Sequence, residues 1–249
     1  MFTFPAFNER LKEFVDKYDI QNVITASTDW ILKEPHERHC RFCKDKRNSV
    51  TFKNKAHFIP QLIGNDRLLS DFECDLCNKY FGKMETDFAN FLGPIRSLWP
   101  LSSDIARTPT FSSSGITAQK NNLYGVKGVS VTQKKEAGDF KFNMETGHIE
   151  IDYTKNPYVP LKVYKLLLKL ALSTISENDL QLYPRAFDFL MNDEHVMGWA
   201  QIHTLTSTPF VRVKEPVCTL FRKKNIRDMI PMHIFMLSFE NIVYQFPIV

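Results

Sequence analysis

Apolar residues recur at helical spacing near the start of the chain, where Phe7, Leu11, Phe14, Val15 and Tyr18 alternate with charges. This is the pattern of an amphipathic helix that packs on the rest of the protein. A second such pattern follows Cys77. There Phe81, Met84, Phe88, Phe91 and Leu92 share a face until Gly93-Pro94 ends or bends the helix. Ser102 to Gly115 is rich in Ser, Thr and Pro and reads as a linker or long loop. Beyond it the period changes to two. Val126 to Gln133 and Phe140 to Tyr153 alternate as strands do, with Glu145-Thr146-Gly147 as a hairpin turn. Pro160 opens a strong helix with Val163, Leu166, Leu167, Leu170 and Ala171 on one face. Ser176, with Asp179 three residues on, marks the N-cap of a further helix that bends or stops near Pro184. From Met197 onward short β-prone runs dominate, among them those beginning at His233 and Asn241. There is no internal repeat. The order of elements predicts an α+β protein in two parts, residues 1–101 and 116–249.

Composition adds little to this picture except in aromatics. Of 249 residues, 43% are hydrophobic and 24% charged, as in ordinary globular proteins. The 21 Phe point to a Phe-rich core, because these rings bury large areas. A net charge of +4 permits a polyanionic partner without requiring one. No apolar run reaches the roughly 18 to 20 residues that cross a bilayer, and the first residues lack the features of a signal peptide. The expectation is a soluble, cytoplasmic chain with no membrane partner. In a reducing compartment, closely spaced cysteines are metal ligands more often than disulfides.

Cys40 and Cys43, then Cys74 and Cys77, form two C-x-x-C pairs with 30 residues between them. Each pair offers two sulfurs from one tight turn, and two such turns complete a tetrahedron with no open position. The expected occupant is a structural Zn²⁺ rather than a catalytic one. A dithiol redox pair is the competing use of a single C-x-x-C, and it leaves the second pair without a purpose. His36 and His39 read as surface residues, and Cys218 as a buried, inert side chain.

Between the pairs, AHFIP and LIGN lead to EC-x-x-CN and FG. Residues 38–97 thereby resemble the zinc-knuckle branch of the HNH endonucleases. The resemblance implies a β-hairpin packed on a helix (the ββα-metal module), followed by a mixed strand and helix domain. It implies His57 as the general base that deprotonates a water for attack on a DNA phosphodiester, with a catalytic Mg²⁺ or Mn²⁺ beside it. Two positions depart from the family pattern. Ala56 stands where an acidic residue often helps to hold the metal, and Asn78 where a histidine often follows the last cysteine. Asn78 is assigned to the catalytic metal, since an amide oxygen can ligate a hard cation. For the asparagine that orients the base, Asn65 and Ser70 are the two candidates. Asp75 and Glu73 are candidate further ligands.

Arg38, Arg41, Lys44, Lys46, Arg47, Lys53 and Lys55 precede His57, and Lys79 and Lys83 follow on the next helix. Such a cluster suits contact with the DNA backbone rather than base readout. Arg222, Lys223, Lys224 and Arg227 form a second basic group. By resemblance to compact HNH proteins of bacterial antiviral defence and mobile elements, the C-terminal half is expected to sense a trigger, bind a partner protein or form a homodimer. The main alternative is a non-catalytic zinc module that binds nucleic acid or protein.

Overall fold

The structure, a computed structural model, describes residues 5–29, 32–45, 50–98, 110–113, 115–123, 126–133, 140–192, 202–206 and 213–248. It is a mixed α+β protein. The N-terminal helix α1 (Pro5–Lys17) runs directly into strand β1 (Tyr18–Thr25). A short hairpin of β2 (Ala56–His57) and β3 (Leu69–Ser70) precedes α2 (Asp75–Leu92) and a final turn, α3 (Ile95–Leu98). Gly93 ends α2 at φ +61°, a backbone region that favours glycine, with its amide bonded to the Ala89 carbonyl.

The next segment is strand-rich, as its alternation predicts. β4 (Phe111–Ser112), β5 (Ile116–Leu123) and β6 (Val126–Gln133) form one antiparallel sheet. β7 (Phe140–Asn143) and β8 (His148–Ile151) form the expected hairpin, with Gly147 at φ +66° in its turn. Phe111, within the predicted linker, is buried with Ile116 and Ala118 in a small separate cluster; residues 102–109 and 114 of that linker lie outside the described residues.

α4 (Pro160–Thr174) is the central helix. Every residue from Val163 to Thr174 is buried, so the helix is enclosed on all sides rather than on the one face its apolar pattern suggests. It packs against α2 and against strands of a second sheet. α5 (Glu177–Leu180) follows the Ser176 cap and stops shortly before Pro184, which opens α6 (Pro184–Met191). Proline is well suited to a first helical turn, where its missing N–H costs nothing.

The main sheet contains β9 (His203–Thr206), β10 (Val213–Lys223), β11 (His233–Glu240) and β12 (Ile242–Ile248), and β1 joins it at one edge. Its order is β1-β10-β11-β12-β9, antiparallel throughout. One hydrophobic core therefore holds Phe42, Phe58, Phe81 and Phe88 together with Leu166, Leu170, Phe235 and Phe246. The segments that the sequence assigns to separate halves share this core. Among the described residues no helix is long and apolar enough to cross a membrane.

Candidate functional site

The four paired cysteines converge. Their sulfurs lie within 4.8 Å of one another, with Cys40 and Cys77 Sγ 3.6 Å apart and Cys43 and Cys74 Sγ 3.8 Å apart. A tetrahedral zinc with bonds of about 2.3 Å spaces its sulfurs by about 3.8 Å, so the donor set fits a closed zinc site. All four are buried. The first turn is shaped by Lys44 and Asp45 at positive φ, with the Lys44 amide bonded to the Cys40 carbonyl. Asp45 accepts from the Cys40 amide at 2.8 Å and pairs with His39 Nδ1 at 2.7 Å. The second turn is the start of α2, with Cys74 as its N-cap. Four thiols this close cannot all ionise without a cation. Contact with Cys77 draws Cys40 down to about 5, while burial and Cys40 push Cys43 up to about 11.

His57 sits on the hairpin beside this cluster in sequence. Ala56 pairs with Ser70 and His57 with Leu69, and one further backbone bond, from the Phe58 amide to the Leu68 carbonyl at 3.2 Å, extends the pairing. The intervening loop is held by Asn65, which is 1% exposed. Its Nδ2 donates to the carbonyls of Ile59 at 2.7 Å and Leu68 at 2.9 Å. Its Oδ1 accepts from the amides of Arg67 and Leu68. The full hydrogen-bonding capacity of the carboxamide is thus used within the hairpin. Ser70 is also buried, but its hydroxyl has no hydrogen-bond partner. The His57 ring is half-buried, and its Nδ1 is enclosed with no partner. Burial lowers its pKa below the usual histidine value; Lys169 and Lys55 act in the same direction, and Asp66 opposes them.

The carboxylates near the cluster are engaged elsewhere. Asp75 accepts from Thr51 Oγ1 at 2.5 Å and from the amides of Lys53 and Asn54, tying the segment before β2 to the start of α2. Glu73 is ion-paired at 2.8 Å with Lys169 of α4, and both side chains are 1% exposed. Asn78, in the first turn of α2, is partly exposed. Among the described residues, no second group of three or more His, Cys, Asp or Glu could hold a metal. The side chains present do not form a pre-built shell for a hard cation, which favours several oxygen ligands.

The basic residues divide. Lys53, Lys55, Lys79 and Lys83 are exposed; Lys44 is exposed too and lies 5.7 Å over the Phe187 ring. Arg41 is turned inward, its side chain 7% exposed and paired with Glu177 at 2.6 Å. That corrects its expected place on the DNA-facing surface. Lys46 and Arg47 lie outside the described residues. In the second basic group, Arg222 pairs with Asp179, Lys223 bonds the Asp228 carbonyl, and Lys224 pairs with Asp19.

Residues 40–90 match the family model of the HNH endonucleases. The matched segment contains the cysteine cluster, the His57 hairpin and most of α2, and it leaves the sheet and α4 outside. No curated protein and no solved structure matches the chain. Reasoning from sequence missed Lys169, which with Lys165 interrupts the apolar run of α4; these two lysines spaced by four were the available signal.

Proposed function

We propose that the protein is an endonuclease that hydrolyses DNA phosphodiester bonds with His57 as general base. The observation that carries this reading is the position of His57 in the HNH-matched segment, on a hairpin whose loop is locked by Asn65. Its lowered pKa keeps the imidazole neutral near pH 7, the state a base needs. With Nδ1 enclosed, Nε2 is the nitrogen proposed to act. Nε2 takes a proton from water as the water oxygen attacks phosphorus. The bond from phosphorus to the 3′ oxygen breaks, and the departing oxygen takes a proton from solvent. Mg²⁺ or Mn²⁺ supplies charge neutralisation at the phosphate in such chemistry. With the neighbouring carboxylates engaged, Asn78 is the protein oxygen proposed to meet it.

Lys44, Lys53, Lys55, Lys79 and Lys83 are the proposed contacts to the DNA backbone, with Lys46 and Arg47 completing the stretch in sequence. The cysteine cluster is proposed to hold zinc as a structural element, since four protein sulfurs leave no position open for substrate.

One observation favours a second reading, a zinc module that binds nucleic acid or protein without cutting. Ala56 and Asn78 replace metal-holding residues of the family pattern, and Asp75 and Glu73 do not substitute for them. Supercoiled plasmid incubated with the purified chain and Mg²⁺ or Mn²⁺ separates the two. Nicked or linear product supports the nuclease. Retarded but uncut plasmid under every divalent cation supports the binding module.

A further inference from the structure

A lysine in the middle of an enclosed helix calls for a reason, because an unpaired ammonium is costly in an apolar interior. Glu73 supplies the counter-charge for Lys169 at 2.8 Å. A buried ion pair of this kind adds little stability over two well-packed apolar residues, so pairing alone does not account for it. The same ammonium also donates to the backbone carbonyl of His57 at 3.2 Å and lies 5.7 Å over the Phe81 ring of α2. It thereby meets the strand that carries His57, the residue just before Cys74, and the helix of the matched segment.

The hairpin needs such a hold. β2 is two residues long and has two paired positions. The His57 ring is not steered through Nδ1, which has no partner. The place from which the ring projects is set by the backbone of β2. Asn65 fixes that backbone at Ile59 and Leu68 from within the loop. Lys169 fixes it at His57 itself, from a helix 112 residues further along the chain.

We propose that Lys169, with Glu73 as its counterion, is a positioning residue for His57. The inference rests on the reading of His57 as the base, and it makes the catalytic hairpin depend on a helix outside the HNH-matched segment. The Lys169 charge acts alongside burial and Lys55 to keep the imidazole neutral, against Asp66.

The test compares full-length wild type with Lys169→Met and with the double variant Glu73→Gln/Lys169→Met. The double variant removes both charges at once, which spares the interior an unpaired ion and preserves the fold. Three readouts are taken: bound zinc, the His57 imidazole resonances (assigned by their loss in His57→Ala), and plasmid nicking. In the double variant zinc is expected to stay bound while the imidazole resonances shift. The kcat for nicking is expected to fall by about ten- to a hundredfold, as a displaced catalytic group does, with KM for DNA unchanged. Wild-type imidazole resonances and kcat in the folded double variant would overturn the proposal. If wild type cuts no DNA, the nuclease reading falls, and the imidazole resonances alone decide the role of Lys169.

Discussion

Arg41 and Ser173 are 132 residues apart in sequence, yet Arg41 Nη1 donates to the Ser173 carbonyl at 2.8 Å. The same nitrogen reaches the carbonyls of Leu172 at 3.1 Å and Ile175 at 3.3 Å. Leu172 and Ser173 lie in the last turn of α4 and Ile175 is its C-cap, where carbonyls have no donor within the helix. A cation there also opposes the negative end of the helix dipole. Because Arg41 adjoins Cys40, the first cysteine turn caps the central helix while Lys169 of that helix reaches back to the hairpin.

Two basic residues close in sequence should consequently behave in opposite ways. Arg41→Ala is expected to lower stability by about 1–3 kcal/mol, since it takes the donor from carbonyls at the buried end of α4. Lys55→Ala should stay within about 0.5 kcal/mol of wild type and instead weaken DNA binding and flatten its salt dependence. Urea denaturation together with a salt titration of DNA affinity checks both. A stable Arg41→Ala protein with lost DNA affinity would return Arg41 to the DNA surface.

Zinc removal should not be a local event. Phe42 and Phe81, which flank the cysteines in sequence, share a core with α4 and the main sheet. Cys43→Ser, or exhaustive chelation, is expected to lower the melting temperature of the sheet and helices together, because metal affinity is folding free energy in such modules. Circular dichroism in the near and far ultraviolet would follow it. An unchanged melting curve after metal analysis reports zero zinc contradicts the structural role.

Much of this was legible because it is local. The C-x-x-C spacing brings two sulfurs into one turn, and the apolar period of residues 160–174 is strong enough to mark a helix. Strand β1 was not recognisable, because a register shift between Ile20 and Asn22 breaks its alternation and its partner is β10. The roles of charges were also hidden. Arg41, Glu73 and Asp75 look alike on paper as surface or ligand residues. Only contacts distant in sequence reveal that Arg41 caps α4 and that Glu73 faces Lys169, while Asp75 stitches the segment before β2 to α2. Nor does a sequence display that the Asn65 carboxamide is bonded within the loop while the Ser70 hydroxyl has no partner.

Asn65 supplies the side-chain hydrogen bonds that hold the loop, beside the backbone bond from Phe58 to Leu68. Asn65→Ala takes the donor from the Ile59 carbonyl, one of two donors from the Leu68 carbonyl, and the acceptor from the Arg67 and Leu68 amides, and is expected to cost about 2–3 kcal/mol. Asn65→Asp should cost as much or more, since it removes the donors that Ile59 and Leu68 accept from. Both variants should keep their zinc and lose nicking. Full nicking by Asn65→Ala would separate loop order from activity.

Stability should fall on mild acidification. His57 and His233 both have folded pKa values below the usual one, burial being the main cause in each. The unfolded chain then binds more protons than the folded one between those lowered values and about pH 6.5. Stability attributable to these groups is complete above that window and declines as pH drops through it. Denaturation at pH 7.5 and pH 5 measures the decline, and equal stability at both contradicts the enclosed, neutral histidines. The acid limb of the nicking rate should likewise lie below about pH 6.5.

The most direct measurement is plasmid cleavage by wild type beside His57→Ala, both at full zinc occupancy and with Mg²⁺ or Mn²⁺ supplied. Wild type is expected to convert supercoiled plasmid to nicked or linear forms, and His57→Ala to leave it intact while its zinc content and melting temperature hold. Equal cleavage by the two proteins would contradict the assignment of His57 as the base.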